Sequence, residues 1–95
     1  MAKQLQNNKG FLVIQMPWRE YVAITDSFGQ CFCCGDYDSD MIFYYVATVD
    51  SFFCPKCYEL WYSSAVNYKV DRPKEQYNFV SIKNKIKDLG SWEND

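Results

Sequence analysis

The sequence predicts a small α+β domain, and three observations lead to this prediction. A chain of 95 residues has room for one ordinary hydrophobic core but not for two. Aromatic residues make up 19% of the chain, so a few large side chains can fill that core. A β-rich run lies between two clusters of cysteines, and two stretches with helical spacing of apolar residues follow it. We therefore treat residues 1–95 as a single domain.

The N-terminal quarter predicts a polar leader, one strand and a segment with two possible structures. Residues 1–10 are polar and form the leader, and residues 11–16 are a β-type apolar run that ends at Pro17. Residues 17–25 fit a short helix, because proline is favoured in the first helical turn and a glutamate follows it. The β-rich composition of 21–25 fits a strand as well. Both structures remain open for this segment.

Two pairs of cysteines have the spacing of a metal site. Cys31 and Cys34 form one C-x2-C pair, and Cys54 and Cys57 form a second pair after 19 intervening residues. Two residues between ligands let a tight turn direct both sulfurs toward one ion, and the intervening loop can form a hairpin that brings the pairs together. Four thiolates would complete a tetrahedral shell without an open position. The spacing thus predicts one structural Zn²⁺ in a zinc-binding core over residues 29–69.

Other uses of the cysteines stay open at this stage. Cys33 is either a spare thiol in the first turn or a ligand in place of Cys31 or Cys34. Cys54 and Cys57 at a helix start are also typical of a thiol–disulfide oxidoreductase. That function leaves the first pair unexplained, and no βαβ framework precedes the second pair. Two disulfides would leave one cysteine over in a chain without a secretion signal.

The β-rich run predicts a hairpin between the cysteine pairs. Residues 41–49 form its first strand and residues 52–53 its short return strand. Both faces of this hairpin are apolar, and one helix cannot cover both. Unless another element covers the second face, we expect a protein-binding or dimerisation surface that includes Tyr44, Tyr45 and, from the following helix, Tyr62.

Two helices are predicted after the hairpin. Residues 55–69 carry an apolar stripe at intervals of three and four, and Pro55 stands at the favoured first position. A C-terminal helix is predicted over residues 73–89, and Gly90 stands where a C-terminal cap belongs.

The order of turn, hairpin and helix over residues 29–69 resembles the treble-clef and zinc-ribbon-like four-cysteine fingers. The segments that carry the resemblance are Cys31-x-x-Cys34-Gly35 and Cys54-Pro55-Lys56-Cys57-Tyr58-Glu59-Leu60-Trp61. The second segment is also similar to small, uncharacterised bacterial proteins that share a C-P-x-C-Y-x-x-W helix start. The resemblance implies that Cys31, Cys34, Cys54 and Cys57 bind one zinc ion. Such fingers include nucleic-acid binders, protein adaptors and purely structural modules, so the resemblance names no role.

The distribution of charge favours a protein partner over nucleic acid. Residues 20–68 carry seven acidic residues and one lysine, for a net charge of −6, whereas residues 69–88 have a net charge of +3. Fingers that bind phosphates present lysine and arginine beside the metal, because counterion release drives that binding. We therefore expect a protein partner or self-association. The alternative is a nucleic-acid-associated finger that uses Lys83, Lys85 and Lys87, although these lysines also fit an ordinary solvated helix face.

The composition argues against an enzyme and against a membrane protein. The chain contains no histidine, and its residues suggest neither a nucleophile–base pair nor a site for a small-molecule substrate. No apolar stretch is long enough for a membrane span, and the N-terminus does not resemble a signal peptide. The sequence predicts a cytoplasmic, non-catalytic, zinc-binding protein-interaction module.

Overall fold

The computed structural model describes residues 1–93 and confirms the α+β class. The described residues form a four-stranded sheet, three α-helices and one 3₁₀ turn at Lys69–Asp71. The strands are β1 (Lys3–Leu5), β2 (Val13–Pro17), β3 (Ile42–Val46) and β4 (Ser51–Phe53). The helices are α1 (Trp18–Thr25), α2 (Pro55–Ser64) and α3 (Arg72–Asp88). The segment that was open between helix and strand is therefore the helix α1.

The sheet is an antiparallel meander in the order β1-β2-β3-β4. Tyr45 of β3 pairs with Ile14 of β2 and with Phe52 of β4, so these three side chains share one face. Tyr44 pairs with Phe53, and their side chains point to the opposite face. Large apolar side chains therefore stand on both faces, as the sequence predicted, and both need a covering layer.

Helices cover both faces of the sheet. On the Tyr44 face, the ring of Tyr58 in α2 stacks on Tyr44 with 4.6 Å between ring centroids. On the Tyr45 face, the ring of Tyr21 in α1 stacks on Phe52 at 4.1 Å. Helix α3 contacts α1 and β2 and buries three apolar side chains, Phe79, Ile82 and Ile86. Helix α1 therefore covers part of the face that carries Tyr45, and α2 covers part of the face that carries Tyr44.

The structure differs from the prediction in one additional strand and in the ends of several elements. Strand β1 lies within the predicted polar leader, because Lys3–Leu5 pairs with the edge of β2. Strand β3 ends at Val46 rather than at residue 49. Helix α2 ends at Ser64 rather than at residue 69, because Ala65 has an extended backbone (φ −73°, ψ 142°).

The C-terminal helix matches its prediction closely and is tied to the N-terminus. Gly90 adopts φ +73°, and the N–H of Ser91 donates to the carbonyl of Ile86 at 3.2 Å. The N–H of Ala2 then donates to the carbonyl of Ser91 at 2.8 Å. No helix within residues 1–93 has the length and apolar character needed to cross a membrane.

Candidate metal centre

The structure brings the four predicted cysteines into one cluster. The Sγ atoms of Cys31, Cys34, Cys54 and Cys57 all lie within 4.8 Å of one another. The Sγ atoms of Cys34 and Cys54 are 3.7 Å apart. A tetrahedral ion with metal–sulfur bonds of about 2.3 Å places its sulfurs about 3.8 Å apart. The cluster therefore fits a four-thiolate site after a small contraction.

A tight turn presents the first cysteine pair. The N–H of Gly35 donates to the carbonyl of Cys31 at 2.9 Å, and Gly35 adopts φ +78°, a conformation that favours glycine. The N–H of Cys31 donates to the carbonyl of Asp36 at 2.8 Å and closes the turn. The N–H of Phe32 donates to the carbonyl of Phe52 at 2.8 Å. This last bond joins the turn to β4, the strand that leads directly into Cys54.

The start of α2 presents the second pair. Cys54 is the N-cap residue with an extended backbone, Pro55 occupies the first turn, and the N–H of Tyr58 donates to the carbonyl of Cys54 at 2.9 Å. Cys57 therefore lies in the first turn, where the helix dipole favours a thiolate. The N–H of Cys54 donates to the Sγ of Cys31 at 3.3 Å. A backbone donor of the second pair thus stabilises a sulfur of the first.

Helix α1 fixes the chain just before the first ligand, a feature that the sequence analysis missed. The indole Nε1 of Trp18 donates to the carbonyl of Gly29 at 3.1 Å, and the hydroxyl of Tyr21 donates to the carbonyl of Gln30 at 2.6 Å. Gly29 adopts φ +71°, and a Cβ there would lie 2.5 Å from the Nε1 of Trp18. The ring of Tyr37, beyond the turn, stacks on Trp18 at 6.3 Å. Gly29, two residues before Cys31, was the one sequence signal for this close approach.

The thiols of the cluster differ in acidity. Burial raises the pKa of Cys31, but hydrogen bonds from backbone N–H groups of the neighbouring cysteines outweigh it and lower the pKa to about 6. Burial and the adjacent thiols raise the pKa of Cys57. Repulsion between sulfurs this close opposes the simultaneous ionisation of all four. A divalent cation removes that opposition, because a coordinated thiol loses its proton.

The fifth cysteine, Cys33, lies outside the group of four. Cys31, Cys54 and Cys57 are buried, whereas Cys34 is exposed at the edge of the cluster. Cys33 is exposed and lies outside the group of four. The arrangement can hold one metal ion through four sulfurs, and Cys33 lies beside it, because its side chain is among the neighbours that raise the pKa of Cys57.

The structure places the three candidate interface tyrosines within the fold. Tyr45 has no exposed surface, so its predicted place on a partner surface was wrong. Its hydroxyl donates to the Oδ1 of Asp50 at 2.6 Å. Tyr44 is half-buried against Tyr58. Tyr62 is half-buried, and its hydroxyl accepts a hydrogen bond from the N–H of Lys9 at 3.2 Å.

The candidate nucleic-acid lysines lie on α3, whereas the cysteine cluster lies between the first turn and α2. Lys85 and Lys87 are exposed. Lys83 is half-buried, and its Nζ lies over the ring of Trp92 at 4.9 Å from the centroid. The structure does not bring these lysines together with the cluster.

Comparison of the chain with protein-family models, with curated proteins and with solved structures finds no match. The assignment of the metal centre therefore rests on its own geometry and donor set.

Proposed function

We propose that this chain is a small, non-catalytic zinc-binding protein in which one structural Zn²⁺ supports a protein-interaction module. The observation that carries the proposal is the approach of four thiols to within 4.8 Å of one another. Soft sulfur donors in a tetrahedral arrangement select Zn²⁺ over hard cations such as Mg²⁺ and Ca²⁺. Four protein ligands leave no coordination position for water or substrate, which favours a structural role over catalysis.

The position of the cluster supports a structural role. It joins the turn at residues 31–34 to the start of α2, and residues 32–40 are exposed without exception. Apolar burial therefore contributes little to the order of this loop. A structural zinc site binds its ion with about 10–16 kcal/mol, which is comparable to or larger than the net stability of a domain this size.

Charge supports a protein partner rather than nucleic acid. No lysine or arginine occurs between Arg19 and Lys56, the segment that contains the turn, the hairpin and three of the four ligands. Four thiolates around one Zn²⁺ would add two further negative charges. An acidic surface repels phosphates, so binding to nucleic acid through the metal centre is disfavoured.

Stepwise removal of zinc by a chelator tests this proposal. We expect the hairpin and α2 to unfold in step with zinc release and to refold when zinc is added back. The far-ultraviolet circular dichroism of the chain should fall and recover accordingly. Native circular dichroism after complete zinc removal would contradict a structural role. Reduction of insulin disulfides by the metal-free chain would instead support a thiol oxidoreductase that uses Cys54 and Cys57.

A further inference from the structure

Two exposed aromatic rings line a groove beside the metal centre. Phe28 and Phe32 are 84% and 74% exposed. The groove has a volume of about 310 Å³, and the buried ring of Tyr21 lines it together with Gly29 and Cys31. We call it the knuckle groove. Large aromatic rings this exposed beside a groove are a feature of binding surfaces.

The groove is held in place before any partner arrives. The hydroxyl of Tyr21 donates to the carbonyl of Gln30, which lies between the two exposed rings in the sequence. The backbone of Phe32 donates to the carbonyl of Phe52 in the sheet. Two rings on a fixed backbone lose little conformational freedom on binding, which favours affinity.

An acidic loop lies beside the groove, because the N–H of Cys31, which lines the groove, donates to the carbonyl of Asp36 at 2.8 Å. Asp36, Asp38 and Asp40 are exposed on the loop that continues from Phe32. The ion pair between the N-terminal amine and Glu20, at 3.9 Å, does not involve these aspartates. The nearest basic residues in the sequence are Arg19 and Lys56. A segment that carries positive charge would therefore complement this surface.

We propose that the knuckle groove docks a segment of a partner protein in which arginine residues alternate with apolar residues. Apolar side chains of the segment would pack between Phe28 and Phe32, and guanidinium groups would lie over the ring faces. Further arginines would reach the aspartates of the loop and complement their negative charge. This inference rests on the proposed function, because the metal ion holds the turn that carries Phe32.

The test measures binding of a synthetic peptide of alternating arginine and leucine to the zinc-loaded full chain by isothermal titration calorimetry. A peptide of alternating glutamate and leucine is the matched control. We expect the arginine peptide to bind and the glutamate peptide not to bind. Binding of the arginine peptide should weaken with added salt, because screening reduces attraction between exposed charges.

Two sets of variants locate the binding site. Phe28→Ala with Phe32→Ala should weaken binding by roughly tenfold or more, because both rings lose their contacts. Asp38→Asn with Asp40→Asn should weaken it roughly threefold to tenfold, since exposed ion pairs are individually weak. Asp88→Asn on α3 removes the same kind of charge elsewhere and should leave binding unchanged. All these side chains are exposed, so zinc content and circular dichroism should stay native.

Three outcomes would overturn the inference: no binding of the arginine peptide, equal binding of both peptides, or binding that the groove variants do not change. Concentration-dependent self-association that is lost in the Phe28 and Phe32 variant would assign the groove to the basic α3 of a second copy instead. Zinc content and circular dichroism are measured on the same samples. A chain that holds zinc, folds and fails to bind would therefore overturn the docking site alone and leave the structural zinc site standing.

Discussion

The turn that carries Cys31 and Cys34 and the helix α3 show two different ways of ordering a short chain. Every residue from 32 to 40 is exposed, and the turn is held by backbone hydrogen bonds and by the cysteine cluster. Helix α3 has 17 residues and buries Phe79, Ile82 and Ile86 against the rest of the fold. The turn depends on sulfur chemistry, whereas α3 depends on removing apolar surface from water.

Helix α1 links these two regions. Its residues Trp18 and Tyr21 hold the chain before Cys31, and the helix also contacts α3. A change in one region can therefore reach the other through α1, or through the sheet, which is bonded to the turn at Phe52 and contacts α3 at β2. Two substitutions separate the two contributions, a third tests the link through α1, and a fourth tests the hairpin between the cysteine pairs.

The largest effect is expected for Cys54→Ser, which removes a buried ligand. Loss of one thiolate abolishes high-affinity metal binding, so the hairpin and α2 should lose their ordered structure in far-ultraviolet circular dichroism. Cys33→Ser is the matched control, because Cys33 is exposed and outside the cluster, and it should keep full zinc content. Loss of zinc in the control together with retention in Cys54→Ser would mean that the ligand set is wrong.

Ile86→Ala should lower the free energy of unfolding by about 2–5 kcal/mol in urea denaturation, because Ile86 in α3 is fully buried and the change leaves a cavity. The folded fraction should still hold zinc. Val80→Ala on the exposed side of the same helix should change stability by less than about 0.5 kcal/mol. If the folded Ile86→Ala chain lost its zinc, the two regions would not be separable in the way described.

Gly29→Ala tests the link through α1. The substitution places a Cβ at 2.5 Å from the Nε1 of Trp18 and also meets a positive φ, so we expect a loss of about 2–4 kcal/mol. Gly35→Ala meets a similar φ but no atom within 4 Å, so it should cost only about 1–2 kcal/mol. Equal losses in thermal denaturation would show that Trp18 and Val22 move aside without cost, so that α1 does not constrain residue 29.

Tyr45→Phe should give the smallest loss, about 1 kcal/mol, because it removes the hydrogen bond to Asp50 in the turn between the hairpin strands. Chemical denaturation measures the free energy of unfolding of this variant, and Tyr44→Phe is the matched control. Tyr44 is half-buried, and its stacked ring is kept in that substitution, so stability should be nearly unchanged. A larger loss for Tyr44→Phe than for Tyr45→Phe would reverse the roles assigned to the two hydroxyls.

The cysteine spacing, the hairpin and the C-terminal helix were predictable because each depends on local residue patterns. The ligand pairs follow from two C-x2-C motifs, and Gly90 marks the end of α3 through its own conformation. These features need no knowledge of distant contacts.

The features that sequence reasoning missed depend on residues far apart in the chain. Strand β1 forms because Lys3–Leu5 pairs with the edge of β2. A strand of three residues is too short for its sequence pattern to predict that pairing. The end of α2 is fixed by Lys9, whose Nζ donates to the carbonyls of Tyr62 and Ala65. Tyr45 is buried because α1 covers its face of the sheet, and local patterning could not assign that contact.

Zinc content together with a count of reactive thiols tests the central claim most directly. The protein is purified without chelators, its metals are quantified, and its thiols are titrated before and after metal release. The account predicts one zinc per chain, with Cys33 as the single reactive thiol until release exposes the four clustered cysteines. A folded chain without metal, in which all five thiols react at once or Cys54 and Cys57 cycle to a disulfide, would contradict it.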